Sequence, residues 1–216
     1  MKFSRILLIS LTLTIMLTTG CALLPFLSTR DINTISDWID TPAENTVYTY
    51  EYADYHNDSP EGTPAEIDYE ITDIQTNDNE IIIETTMSDE YGGYVSYLII
   101  NDTEGIIAAS SDDSYEEDND WVYLEKPVEA GNSWYPYTGA SFQYTIEGTG
   151  VSKTVEAGTY NDCVYLTAEY TNDANTKYEY EVYMSPSAGN IIYENNKHTF
   201  ESGESWSEVV ELISID

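Results

Sequence analysis

Two histidines, two cysteines and forty carboxylates are the side chains of this sequence that could do acid–base, nucleophilic or metal chemistry. A histidine-centred hydrolase would have to use His56 or His198, and both stand among polar residues that read as surface positions. The run Gly203-Glu204-Ser205-Trp206-Ser207 lacks the final glycine of a nucleophile elbow, and no strand-turn-helix pattern surrounds it. Cys163 falls in an alternating run, in register with Tyr165 and Thr167 and opposite Val164 and Leu166. Nothing cationic beside it would stabilise a thiolate, so it reads as a small, half-buried strand residue. No Cys and His cluster has the spacing of a zinc site. Among so many acids, carboxylate pairs at glycosidase separation arise by chance, and such a pair alone carries no weight.

Calcium is the metal for which the side chains offer most. Asp112, Asp113, Glu116, Glu117, Asp118 and Asp120 concentrate oxygen ligands in one stretch, with Asp102 and Glu104 in a nearby turn. Calcium takes six to eight oxygens in defined geometry, and the EF-hand pattern with its central glycine is absent. A like-charge run of this kind reads as a solvated loop. Twenty tyrosines with Trp121, Trp134 and Trp206 are the remaining signal. They would either form a platform for sugars or apolar ligands or fill the inner face of a curved sheet, and their alternation favours filling. No cofactor is implied, and no constellation identifies an enzyme.

Cys21 has a different chemistry. Lys2 and Arg5 precede an apolar run over 6–17, which leads through Leu17-Thr18-Thr19-Gly20 into Cys21. A basic start, an apolar stretch and a small-residue cleavage site define a secretory signal. Ending in cysteine, it resembles the bacterial lipobox, with Thr18 where that motif usually has leucine. The resemblance implies a signal peptide over 1–20, cleavage after Gly20, lipidation of Cys21 and a chain held outside the cytoplasm on the cell membrane or an outer membrane. An uncleaved anchor over 6–27 is the alternative, although a spanning helix needs about 20 apolar residues and Gly20 and Pro25 interrupt this one. After lipidation only Cys163 is left, so no intramolecular disulfide forms.

Residues 1–20 hold two basic groups and no acids, so the mature chain keeps 7 − 2 = 5 Lys and Arg against 40 Asp and Glu, a formal charge of 5 − 40 = −35. No basic stripe exists to neutralise phosphates, which excludes nucleic acid as a partner. An anionic membrane surface would repel the domain, so the lipid on Cys21 is what holds it there. The acids alternate with Tyr, Ile and Val instead of replacing them, which indicates a folded domain with a carboxylate surface. Such a surface suits high salt, where a Debye length of about 3 Å at 1 M relieves self-repulsion. An acidic surface protein in ordinary or calcium-rich surroundings is the alternative.

The elements that must position these groups are strands. Residues 21–45 read as the lipidated cysteine and a tether, with Ile32, Ile35, Trp38 and Ile39 at helical spacing. From 46 to 216 the texture is alternation: Tyr48, Tyr50 and Tyr52; Ile67, Tyr69 and Ile71; Phe142, Tyr144 and Ile146; Tyr178, Tyr180 and Val182. Period two, β-branched and aromatic enrichment and regular turns predict an all-β domain, an antiparallel sheet of about ten strands. A sheet of that size must curl, as a half-barrel or open sandwich. The acidic stretch from Ser110 to Asp120 is expected to divide two sub-sheets.

The C-terminal half carries a second resemblance. Gly131-Asn132-Ser133-Trp134, then Ala157-Gly158-Thr159-Tyr160, then Tyr183-Met184-Ser185-Pro186 with Gly189 follow one another in order. Over residues 120–195 this resembles small secreted lipoproteins of Firmicutes-type bacteria. The resemblance implies a β-rich extracytoplasmic domain without an established activity. The expectation is therefore a lipid-anchored, non-enzymatic binding or structural module. The alternatives are an envelope polysaccharide hydrolase using a carboxylate pair and a calcium-stabilised surface module.

Overall fold

A computed structural model describes residues 43–77, 80–88, 94–101, 105–109 and 121–216. Cys21, the signal peptide, the tether helix and the calcium candidates Asp102, Glu104, Asp112, Asp113, Glu116, Glu117, Asp118 and Asp120 lie outside them.

The described residues form strands and no helix. The first six strands are β1 (Val47–His56), β2 (Ser59–Asn77), β3 (Glu80–Ser88), β4 (Tyr94–Asn101), β5 (Gly105–Ala109) and β6 (Trp121–Leu124). The others are β7 (Ser133–Trp134), β8 (Tyr144–Val155), β9 (Gly158–Thr171), β10 (Lys177–Ser185), β11 (Asn190–Thr199) and β12 (Ser205–Ile215). All twelve belong to one sheet, in the order β6-β5-β4-β3-β2-β1-β12-β11-β10-β9-β8-β7. The all-β antiparallel fold predicted by alternation is the one observed. The count exceeds the expected ten; the two outermost strands, β6 and β7, are only four and two residues long and too short to show a period.

The first and last strands pair in the middle of the sheet, with Tyr50 opposite Leu212 and Tyr52 opposite Val210. Two meanders run outward from that seam. At the far ends the edges approach each other: the Val122 N–H donates to the Pro136 carbonyl at 2.7 Å, and Trp134 Nε1 donates to the Val122 carbonyl at 3.0 Å. The sheet thus curls strongly without a continuous ladder closing it into a barrel.

Turn chemistry sets the register. Asn57 and Asp58 both have positive φ, 49° and 60°, which is the geometry of a type I′ hairpin turn between β1 and β2. Gly189, at φ 71°, ends the β10–β11 turn where a side chain would be strained.

One expectation about the acidic stretch fails. β5 and β6 flank it, yet Ile107 pairs with Val122 and Ala108 with Trp121. The ladder continues across the gap, so the stretch does not divide the sheet. The cost of closing a loop grows only slowly with its length, so a long acidic connection does not prevent its flanking strands from pairing.

The core lies on the inner face of the curl. Tyr48, Ile71, Ile83, Tyr144, Ile146 and Leu166 are at most 2% exposed. Alternation predicts a half-buried Cys163 facing away from Val164. Instead both are completely buried. The partner strand β8 carries three register shifts between Ile146 and Lys153. Bulges bend a strand and break its strict alternation. The β8–β9 hairpin turns back until Ala157 N–H donates to the Leu212 carbonyl at 3.2 Å, and both faces near Cys163 are covered.

Candidate functional site

Inside the curl the core does not fill all the space. A cavity of about 400 Å³ remains, walled by β1, β2, β3, β4, β6, the β10–β11 turn, β11 and β12. Its lining is dominated by rings: Tyr48, Tyr50 and Tyr52 from β1, Tyr69 from β2, and Trp121 and Tyr123 from β6. Alternation on β1 puts its three tyrosines on one face, and a Tyr ring with a polar tip suits a half-wet wall.

The polar tips are mostly engaged. Tyr48 donates to the Ala188 carbonyl and Tyr50 to the Ile191 carbonyl, both at 2.8 Å. The Tyr52 and Tyr69 hydroxyls meet at 2.9 Å, and those of Thr85 and Ser96 at 2.8 Å.

Among the described residues one lining side chain is ionisable as an acid or base in the ordinary range: Glu194, half-buried on β11. Burial raises its carboxyl above the usual range; a hydrogen bond from Asn196 Nδ2 to Oε1 at 2.9 Å opposes the shift, and the charge of Glu208 adds to it. The Glu194 charge in turn contributes to raising the phenols of Tyr123, Tyr144 and Tyr180, where burial is the largest cause. Among the described residues no lysine or arginine is paired with it.

Sequence reasoning missed Glu194 because Tyr193-Glu194-Asn195-Asn196 reads as a polar run. The register shows its inward placement: Glu194 is directly opposite the fully buried Val182, while a bulge at Ile192 breaks the period of two in between.

The histidines stand on strands and not in loops, and the His56 side chain keeps 37% of its surface exposed. His56 ends β1, His198 is on β11, and both are half-buried. In the ladder Tyr170, Tyr178, His198, Trp206 and His56 are successive cross-strand partners from β9 to β1. Tyr170 stacks on Tyr178 and His56 on Trp206, each at 4.5 Å between centroids. His56 Nε2 lies 2.7 Å from Glu204 Oε1 and 3.2 Å from Asn57 Nδ2, neither of which is a hydroxyl or thiol that the imidazole could activate. Ser205 is buried, and its N–H donates to Asn57 Oδ1. Cys163, with its thiol pushed up to about 11 by burial, is equally unsuited to attack.

Among the described residues no three His, Cys, Asp or Glu side chains gather as a metal site. The motifs of the C-terminal half do structural work. Asn132 Nδ2 donates to the carbonyls of Glu125 and Pro127, shaping the β6–β7 loop. Asp162 accepts hydrogen bonds from the Ser185 hydroxyl and the Ser187 N–H, fastening the β10–β11 turn to β9.

This architecture is similar to that of a crystallised protein from Bacteroides fragilis, described as a proposed exported protein with a YmcC-like fold. The two are 14% identical, with a TM-score of 0.50 over 82% of this chain and 97% of the other. They share a fold. A proposed lipoprotein from Parabacteroides distasonis aligns at 12% identity and a TM-score of 0.43, over 82% of this chain and 98% of its own. No family model matches the chain, and neither does any curated protein. The likeness found is to a Bacteroides protein and not specifically to the Firmicutes-type lipoproteins that the C-terminal motifs resemble.

Proposed function

We propose that the protein is a lipid-anchored extracytoplasmic binding module that is not an enzyme. Its curled sheet holds a ligand with an apolar body in the cavity between β1, β4, β6 and β11. The observation that carries this reading is the cavity itself: about 400 Å³ left open inside the curl, walled among the described residues by aromatic rings and one acid. Ligand pockets are commonly about 300–1,000 Å³, mostly apolar, with few and fixed polar groups. A polysaccharide hydrolase needs two carboxylates flanking the scissile bond, and among the described residues the cavity lining holds one, Glu194.

The anchor rests on the Leu17-Thr18-Thr19-Gly20-Cys21 sequence. Export is also what the description of the Bacteroides fragilis protein states for that molecule. The formal charge of −35 on the mature chain suits an environment of high salt.

The test is extraction. Full-length protein purified from membranes is extracted with organic solvent and the extract is analysed by mass spectrometry. An amphiphile stoichiometric with the wild type and absent from a cavity-filling Val210→Phe variant supports the reading. Identical extracts from both proteins sink it. Separately, Cys21→Ser should lose incorporation of labelled fatty acid and partition to the aqueous phase.

A further inference from the structure

We propose that the cavity selects an organic ammonium cation, its charge held by the Glu194 carboxylate and its carbons enclosed by tyrosine and tryptophan rings. This rests on the reading of the cavity as a ligand site and specifies the ligand's chemistry.

Rings from β1, β2 and β6 dominate the wall, and the face of an aromatic ring is electronegative. Such faces attract cations, most strongly where water is excluded. Among the described residues the lining holds one carboxylate, Glu194, which has the same preference. It accepts a hydrogen bond from Asn196, and no base among the described residues balances it. The other amide atom, Asn196 Oδ1, is buried with no partner, which leaves an acceptor beside the acid without a donor. A charge taken from water without a counterion is costly, and an incoming cation relieves that cost.

Other ligand classes fit less well. A fatty acid or phosphate would bring a second negative charge to Glu194. A neutral apolar molecule would remove the carboxylate's remaining water and return nothing. A divalent metal needs several oxygens, and no cluster of three ligating side chains exists among the described residues. An amine on an apolar chain satisfies the acid and the rings together. Such an amine is either a free alkylamine or the head group of an aminolipid.

The experiment uses the full chain in phosphatidylglycerol nanodiscs, with empty nanodiscs as baseline. Hexylammonium, 1-hexanol and hexanoate are titrated calorimetrically in molar NaCl, where a Debye length of about 3 Å removes attraction by surface charge. The expected result is one site, with hexylammonium at least about tenfold tighter than hexanol and no binding of hexanoate. Glu194→Gln should bring hexylammonium to the affinity of hexanol while hexanol is unchanged. Val210→Phe, which keeps the acid and fills the space, should abolish both.

Equal binding of hexylammonium and hexanol overturns cation selection and leaves the cavity reading standing. A preference that survives Glu194→Gln, or ammonium binding that survives Val210→Phe, also overturns it. Absence of a single site for every probe overturns the cavity reading itself. Dihexanoyl phosphatidylethanolamine separates the sources: tighter binding than hexylammonium makes the amine a lipid head group, and weaker binding makes it a free amine.

Discussion

The hydroxyl of Tyr50 on β1 donates a 2.8 Å hydrogen bond to the carbonyl of Ile191 on β11, two strands that the sheet order separates by β12. Tyr48 makes the equivalent bond to Ala188 in the turn before β11. Both phenols are struts across the inside of the curl. They hold the β10–β11 turn over the cavity, and burial raises both well above the ordinary phenol range.

The struts make a measurable contribution. Tyr48→Phe keeps the ring and leaves the buried Ala188 carbonyl without its partner, which costs about 1–2 kcal/mol. For a domain of this size that lowers the melting temperature by roughly 3–6 °C. Tyr135→Phe, at a ring that is 56% exposed, is the control and should change stability by less than about 0.5 kcal/mol. Equal melting temperatures for the two variants would mean that the Tyr48 bond contributes nothing net.

Cys163 tests the bend of the β8–β9 hairpin. Its thiol is fully buried and pushed up to about 11, first by desolvation and then by Asp162. The unfolded value is 9.0, so the folded state holds the proton more tightly. Stability from this group is complete below pH 9 and is lost as pH rises towards 11. The thiolate is the reactive form, so the folded protein should resist maleimide near neutral pH and react fully in denaturant. Rapid labelling of the native protein would show that the hairpin tip does not close over the sheet.

The fold was legible in the sequence to the extent that one face of each strand is apolar and the other acidic. Tyr48-Tyr50-Tyr52 and Ile67-Tyr69-Ile71 announce strands because a period of two leaves no other placement. Cys163 was misread because three bulges in β8 are set by tertiary packing and leave no mark in a residue pattern. The site was less legible. Tyrosines on an inner face look the same whether they fill a core or line a hollow, and only the packing distance between β1, β6 and β11 decides. Glu194 looks like one more surface acid until its cross-strand partner, Val182, is known to be buried. His56 and His198 appear unrelated across 142 positions of chain. The register of four ladders places them in one row with Trp206 between them.

Glu194 also gives a prediction without a ligand. Its folded carboxyl lies above its unfolded value of 4.5, chiefly through burial. The folded state therefore holds more protons than the unfolded one between those two values, and stability falls as pH rises through that window. The groups facing it are Asn196, which opposes the shift, and Glu208, which enhances it; Tyr123, Tyr144 and Tyr180 remain neutral throughout. Glu194→Gln should leave the melting temperature unchanged at pH 4 and raise it at pH 7. A variant less stable than the wild type at pH 7 would show that the carboxylate is compensated in the folded state.

Salt should govern the stability of the whole domain, and the ladder shows where. Glu66, Glu51 and Glu211 are directly opposed across β2, β1 and β12, and Glu61, Asp54 and Glu208 form a second such row. Like charges opposed across strands are destabilising by about 0.2–1 kcal/mol per pair. Among the described residues the lysine pairs lie outside these rows: Lys177 bridges Glu169 and Glu179, and Lys197 reaches Asp58. The melting temperature should climb steeply from low to molar NaCl or KCl, as screening contracts from about 10 Å at 0.1 M to about 3 Å at 1 M. Glu51→Gln interrupts the first row at its centre. It should raise stability at low salt by about 0.5–1 kcal/mol, and the gain should vanish in molar salt because screening has already supplied it. A gain that persists unchanged in molar salt would mean that the substitution acts through packing. A sharp rise with millimolar calcium at fixed ionic strength would instead identify a specific ion site, and Asp112 to Asp120 would be the first residues to substitute.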